Sequence, residues 1–293
     1  MKLALGTVQF GMDYGITNSE GKTSFQEIES ILRFSHEQGI VLLDTAPSYG
    51  DSEKVLGGNS LNDFDVITKT PYIKNEVIAK SDIEEIEEVF YQSLENLNVD
   101  SLYGLFVHQT KDMYKEGSDK LYEKMLDFKE RGIVQKIGVS IYEKSEITDL
   151  FNRYKWDMVQ IPVNVLDQRL IKDGTLSELS DKGIEIHARS IFLQGLLLTD
   201  SFKLESRFKS VNKYLAQYYN DLHLIGMTKI EGALNYINEI SEIDYAVIGV
   251  NNLLQLKEIL LAYKRINNDN SFRIDYSNYA VVNENIIDPR KWG

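Results

Sequence analysis

The sequence predicts an α/β fold: a closed barrel of eight parallel strands, each followed by a helix, the (β/α)8 or TIM barrel. Short apolar or β-branched runs alternate with longer segments of helical periodicity eight times along the chain. Several of the short runs are nearly continuous in apolar residues, as parallel strands covered on both faces require. The 293 residues exceed the roughly 250 that such a barrel uses. No Pro/Gly/Ser-rich linker divides them, so residues 1–293 read as one domain. A doubly wound open sheet is the competing architecture. It fits less well, because the first strand-to-helix turn, Gly6-Thr7-Val8-Gln9-Phe10-Gly11, lacks the G-x-G-x-x-G spacing of a dinucleotide loop.

The strands are expected at residues 3–8, 40–44, 65–69, 103–108, 134–140, 157–163, 185–189 and 245–250. A capping box from Ser24 to Glu27 opens the first long helix, whose apolar positions Ile28, Ile31 and Leu32 precede a stop at Gly39. A second box is read from Ser81 to Glu84, ahead of Ile86, Val89, Phe90, Leu94 and Leu97 on one face. Residues 121–129 form a helix that stops at Arg131-Gly132. Thr228 to Glu231 opens another, with Leu234, Ile237 and Ile240 facing inward, and a last helix follows Asn252. Residues 192–244 are expected to carry a loop over the barrel mouth, and residues 266–293 a C-terminal tail near it.

The formal net charge of -13 repels polyanions, which argues against nucleic acid or an anionic membrane as a partner. There is no cysteine, so disulfides, thiolate metal sites and cysteine nucleophiles are excluded. No apolar run reaches a membrane-spanning length, and the run at Met1–Gly6 is too short for a signal peptide. A cytoplasmic location and a monomer are the default expectations. Apart from His108, the chain's histidines are His36, His187 and His223. They show no ligand spacing, and Glu84, Glu85, Glu87 and Glu88 read as a solvated helix face, so no metal is expected.

In a barrel of this kind the reacting groups lie at the C-terminal ends of the strands. The second strand ends at Asp44, with Tyr49 in the following loop; the third ends at Lys69 and the fourth at His108. Together these four suit reduction of a carbonyl. A hydride must come from a nicotinamide, because no side chain supplies one. Tyr49 can give the proton, but its ordinary pKa is about 10, and a neighbouring Lys69 ammonium is expected to lower it. Asp44 would pair with Lys69 and keep it charged, and His108 would orient the carbonyl.

The block Leu43-Asp44-Thr45-Ala46-Pro47-Ser48-Tyr49-Gly50-Asp51-Ser52-Glu53-Lys54-Val55-Leu56-Gly57 closely resembles the signature of the aldo-keto reductases around their catalytic Asp and Tyr. Ile67-Thr68-Lys69 and Leu105-Phe106-Val107-His108 are similar to the segments carrying that family's Lys and His. Leu5-Gly6-Thr7, Ile137-Gly138-Val139-Ser140, Val159-Gln160-Ile161-Pro162-Val163-Asn164, Gln194-Gly195-Leu196-Leu197 and Val247-Ile248-Gly249-Val250 follow in the family's order. The resemblance implies reduction of an aldehyde or ketone, including a sugar-derived one, by NADPH, with NADH as the alternative, and His108 favours C=O over C=C reduction. It further implies that Ser140 and Gln160 bind the nicotinamide carboxamide and that Gln194, Gly195 and Leu196 pass the pyrophosphate. Past the eighth strand, Gly249, Asn251, Asn252 and Gln255 would meet a cofactor phosphate at the helix start; the two asparagines serve equally well as plain helix caps.

Three departures stand out. Ile141 occupies a position that is often Asn in the family. Arg189 replaces an aromatic that stacks on the nicotinamide; it would cover the cofactor, grip an anionic substrate group, or form a salt bridge in the barrel mouth. The segment Gly249-Val250-Asn251-Asn252-Leu253-Leu254-Gln255 lacks the basic residues that some members use on a 2′-phosphate. Two other functions compete: a nicotinamide-binding regulatory barrel without catalysis, and an aldolase that forms a Schiff base on Lys69. Pairing with Asp44 keeps Lys69 protonated and disfavours the second.

Overall fold

A computed structural model describes residues 1–171, 174–200, 206–269 and 272–292. Eight strands, β1 (Lys2–Gly6), β2 (Leu42–Asp44), β3 (Asp65–Lys69), β4 (Leu102–Val107), β5 (Val134–Ser140), β6 (Met158–Pro162), β7 (Glu185–Arg189) and β8 (Tyr245–Gly249), run parallel in sequence order. The barrel closes where β1 pairs with β8, with Leu5 opposite Ile248. Helices α1 (Val8–Gly11), α2 (Phe25–Glu37), α3 (Ser52–Gly57), α4 (Lys80–Leu97), α5 (Ser118–Glu130), α6 (Lys144–Arg153), α7 (Thr175–Asp181), α8 (Asn212–Leu224), α9 (Lys229–Asn238), α10 (Leu253–Asn268) and α11 (Glu284–Ile287) fill the connections and the tail.

The predicted barrel and all eight of its strands are present. Their limits shift where a local bond outweighs pairing. Residues 7 and 8 leave the first strand because the Thr7 hydroxyl donates to the Asp44 carbonyl at 3.0 Å and Val8 starts α1. Residues 192–244, expected to carry a loop, contain 3-10 turns at Leu193–Leu198 and Ser206–Val211, then α8 and α9. The tail is tied down: the Val281 amide donates to the Leu166 carbonyl at 2.8 Å, and the Arg290 guanidinium lies 3.3 Å from the Tyr142 ring centroid.

The caps divide as sharply. Thr228 and Glu231 form a complete box at α9. The box read at Ser81 is corrected: α4 starts two residues earlier, and Asp82 reaches back to the Ala79 amide at 2.7 Å. Ser24 caps α2, but Glu27 turns away from its own helix and takes the Leu253 amide at the start of α10, at 2.6 Å.

Inside the barrel, Ala4, Leu42, Ile67, Phe106 and Met158 form one fully buried layer. Met158 needs two glycines: a Cβ on Gly104 would stand 2.5 Å from its Cε, and one on Gly138 2.6 Å from its Cγ. At the N-terminal end of the barrel, Glu185 accepts from Tyr103 Oη and Lys136 Nζ, each at 2.6 Å, and lies 2.7 Å from His187 Nε2. Burial raises a carboxyl's pKa, but these three partners outweigh it and bring Glu185 down to about 2. Its folded pKa lies below the unfolded value of about 4.3. Its contribution is therefore complete above that value and is lost as pH falls toward 2. Glu185→Gln is expected to lower the unfolding free energy at pH 7 by on the order of 1–3 kcal/mol. It should also flatten the loss of stability below pH ~4.3, as measured by urea unfolding across pH.

Candidate active site

Asp44, Lys69 and His108 come together at the C-terminal mouth because β2, β3 and β4 are neighbours. Lys69 Nζ lies 2.6 Å from Asp44 Oδ1 and donates to the Thr45 carbonyl at 2.9 Å, with both charged side chains buried. The second Asp44 oxygen accepts the Gln160 side-chain amide at 2.7 Å. That bond spans the mouth from β6 to β2.

Tyr49 sits in the turn before α3, and the turn is pinned from below. The Ser52 hydroxyl donates to the Thr7 carbonyl at 2.8 Å, and the Thr45 hydroxyl to Ser52 at 3.2 Å. The turn also needs Gly50 and Gly11. Gly50 has φ +61, and a Cβ on it would lie 2.3 Å from the Gly11 carbonyl oxygen. A Cβ on Gly11 would lie 1.7 Å from the Tyr49 carbonyl oxygen. Held this way, the Tyr49 ring has Lys69 Nζ 5.0 Å from its centroid and the His108 ring edge-on at 5.9 Å. The Ser48 hydroxyl faces His108 Nδ1 and the Tyr72 hydroxyl faces Nε2, each at 3.4 Å.

The electrostatics differ from the expectation in one respect. The Tyr49 hydroxyl is raised well above its ordinary pKa, first by burial and then by the Asp44 carboxylate, not lowered by Lys69. Burial lowers Lys69, opposed by Asp44. Burial, with the Lys69 and Arg189 charges, brings His108 down to about 3, so its ring is neutral at physiological pH.

The other predicted residues fall along one rim. Ser140 and Gln160 pair in register on β5 and β6. Neither the Ser140 hydroxyl nor the Gln160 side-chain carbonyl has a partner among the described residues. The carbonyl of Gln194 accepts the Ile16 amide at 3.2 Å, and its side chain donates to Tyr14 Oη at 3.1 Å. Gly195 packs on Thr17, while Leu196 is wholly buried in the core. A groove of about 440 Å³ runs along residues 13–15 and 18–21, from Tyr14 to Glu20. There Glu20 accepts the Asn252 side chain at 3.1 Å. Asn252 caps the Gln255 amide, Gln255 in turn takes the Asn251 amide at 2.8 Å, and Gly249 abuts Gln9. Ile141 is buried and its carbonyl faces Arg189 at 3.4 Å. Among the described residues no cluster of His, Asp and Glu forms a metal cage, and no helix is long and apolar enough to cross a membrane. Sequence reasoning did not single out Tyr14, Tyr72 or Tyr142; Tyr72 and Tyr142 both lie within electrostatic reach of Tyr14. The one available signal was that each lies shortly after a strand end.

A family model for the aldo/keto reductase family matches residues 2–276. The chain belongs to the aldo-keto reductase family. Among solved structures, aldo-keto reductase AKR11C1 from Bacillus halodurans, in its holo form, is 17% identical with a TM-score of 0.72, over 95% of this chain and 89% of that one. A Pseudomonas aeruginosa protein assigned to the same family is 18% identical with a TM-score of 0.66, over 90% and 89%. At such identities the likeness bears on the fold alone. No curated protein matches the sequence.

Removing one partner of the buried pair should cost more than removing both. Lys69→Met strands the Asp44 carboxylate, with an expected loss of about 3–5 kcal/mol. The double variant Lys69→Met/Asp44→Leu should lose less than Lys69→Met alone, as read by urea unfolding.

Proposed function

We propose that this aldo-keto reductase reduces an aldehyde or ketone to an alcohol with a nicotinamide cofactor, Tyr49 giving the proton. The observation that carries the proposal is the buried Lys69–Asp44 pair beneath the Tyr49 ring, with neutral His108 on the ring's other edge. A protonated Tyr49 at neutral pH is the form that can donate. As its proton leaves for the carbonyl oxygen, the phenolate gains the nearby ammonium of Lys69, which Asp44 keeps charged. His108 donates its one ring N–H to the same oxygen and sets the carbonyl's angle. Ser48 and Tyr72 at its two nitrogens limit the ring's rotation. A bound reduced nicotinamide supplies the hydride.

The rim fits an extended dinucleotide. Ser140 and Gln160 offer adjacent polar groups beside the reacting residues, and the groove is lined from Tyr14 to Glu20, which accepts from Asn252 at the start of α10. Buried Gln9 Oε1 and Asn251 Oδ1 near that end have no partner among the described residues. The start of α10 already carries two carboxylates, Glu27 on the Leu253 amide and Glu20 on Asn252. A 2′-phosphate arriving there would meet negative charge, which favours NADH over the NADPH that the family resemblance implies. The Schiff-base alternative is disfavoured, because Lys69 Nζ is buried and committed to Asp44 and Thr45.

Three outcomes are expected. Fluorescence titration should give a lower Kd for NADH than for NADPH, and Glu27→Gln should narrow the gap; saturation by neither nucleotide would overturn the reading. Tyr49→Phe should lower kcat/KM for a carbonyl substrate about 10²–10⁴-fold with nucleotide binding retained. Because His108 stays neutral down to about 3, the kcat/KM profile should show no inflection near the ordinary histidine value of about 6.5.

A further inference from the structure

Arg189 ends β7 at the barrel mouth, in register with Pro162 on β6. It is half-buried, yet among the described residues it faces no carboxylate. Arg131, Arg153, Arg169, Arg265 and Arg290 each reach one within 4.0 Å. The protein contacts of Arg189 are the Ile141 carbonyl at 3.4 Å and the Tyr142 ring, whose centroid lies 4.0 Å from its Cζ. The rest of its fork of N–H donors has no acceptor among the described residues. In a chain with 45 acidic residues, such a cation has a reason to be left unpaired. A half-buried guanidinium loses hydration, and the stacked ring offsets little of that loss. Its charge also stands close enough to Lys69, His108 and Tyr49 to act on all three. An anion brought beside it would relieve the unpaired charge at the place where the carbonyl must sit.

We propose that Arg189 is an oxyanion-binding residue that selects carbonyl substrates bearing a carboxylate or phosphate group; this rests on the reductase reading only for the word "carbonyl". The fork matches either group in two parallel hydrogen bonds. Tyr142 holds the guanidinium plane, and Arg290, which is bound to Asp288, lies against the same ring. The C-terminal tail thus supports the site through Tyr142.

The test has two arms. In the first, succinate and inorganic phosphate are titrated calorimetrically into wild type, Arg189→Gln and Arg189→Lys, each with and without excess NADH. Wild type should bind one of the two anions at least tenfold more tightly than Arg189→Gln, with Arg189→Lys between, and the anion preferred identifies the group. Equal binding by wild type and Arg189→Gln, binding by neither, or loss of the anion when NADH is added would overturn the proposal. In the second arm, butanal and 4-oxobutanoate are compared as substrates. The ratio of kcat/KM for the charged over the neutral aldehyde should fall at least tenfold in Arg189→Gln. A weakened NADH Kd with an unchanged ratio would assign the guanidinium to the cofactor instead. Arg189-dependent anion binding without any aldehyde reduction would leave the oxyanion site standing and remove the reductase reading.

Discussion

An ammonium and a carboxylate buried side by side are tolerated only when each has every remaining partner in place. At the mouth of this barrel that condition organises three strands. Asp44 on β2 holds Lys69 on β3 with one oxygen and Gln160 on β6 with the other, and Lys69 turns a further donor to Thr45. Through Gln160 the Asp44 carboxylate braces the barrel across its mouth, and the buried pair is itself fixed by that brace. The Tyr49 turn, seated on Thr7, Ser52 and Gly11, needs only to be set above a charge that cannot move.

The same economy recurs away from the mouth. In this acidic chain several of the structurally committed carboxylates reach beyond their own element. Glu53 on α3 accepts the Thr68 hydroxyl beside Lys69 at 2.6 Å. Glu27 on α2 serves α10, and Glu185 gathers Tyr103, Lys136 and His187 at the far end of the barrel. Each joins elements that pairing alone does not join, whereas the remaining acids are mostly solvated.

The barrel was legible because its evidence is local and repeated: an apolar run, a helix start, a stop. Asp44, Lys69 and His108 were legible because closure of a parallel barrel brings successive strand ends together whatever the loops do. What escaped was long-range. The Gln160–Asp44 bond joins positions 116 apart and depends on which side of β6 turns inward. Glu185 and His187 are only two residues apart, yet their meeting with Lys136 and Tyr103 exists only after closure. Ser81 looked like a cap because it carries a hydroxyl; the backbone amide of Ala79 and the Asp82 carboxylate did the work instead. The direction of the Tyr49 shift escaped because it is set by burial of the hydroxyl and by the Asp44 carboxylate beside it, and how deeply the turn is buried is known only once the barrel has closed.

The seam between β1 and β8 has a consequence for how the chain acquires its shape. Leu5 pairs with Ile248, the Thr23 hydroxyl reaches the Asn251 carbonyl, Glu27 caps α10, and Tyr263 donates to the Met1 carbonyl. All of these join the earliest part of the chain to the latest. During synthesis the first strand waits with one edge open until the last has emerged, and an open strand edge invites wrong partners. Contacts of such sequence separation form late and slowly. The groove of residues 13–15 and 18–21 and the start of α10 lie against this seam, so the place proposed for the dinucleotide is built across contacts of large sequence separation. A nucleotide bound there would act as a clasp on the finished ring, holding together the two strands that found each other last.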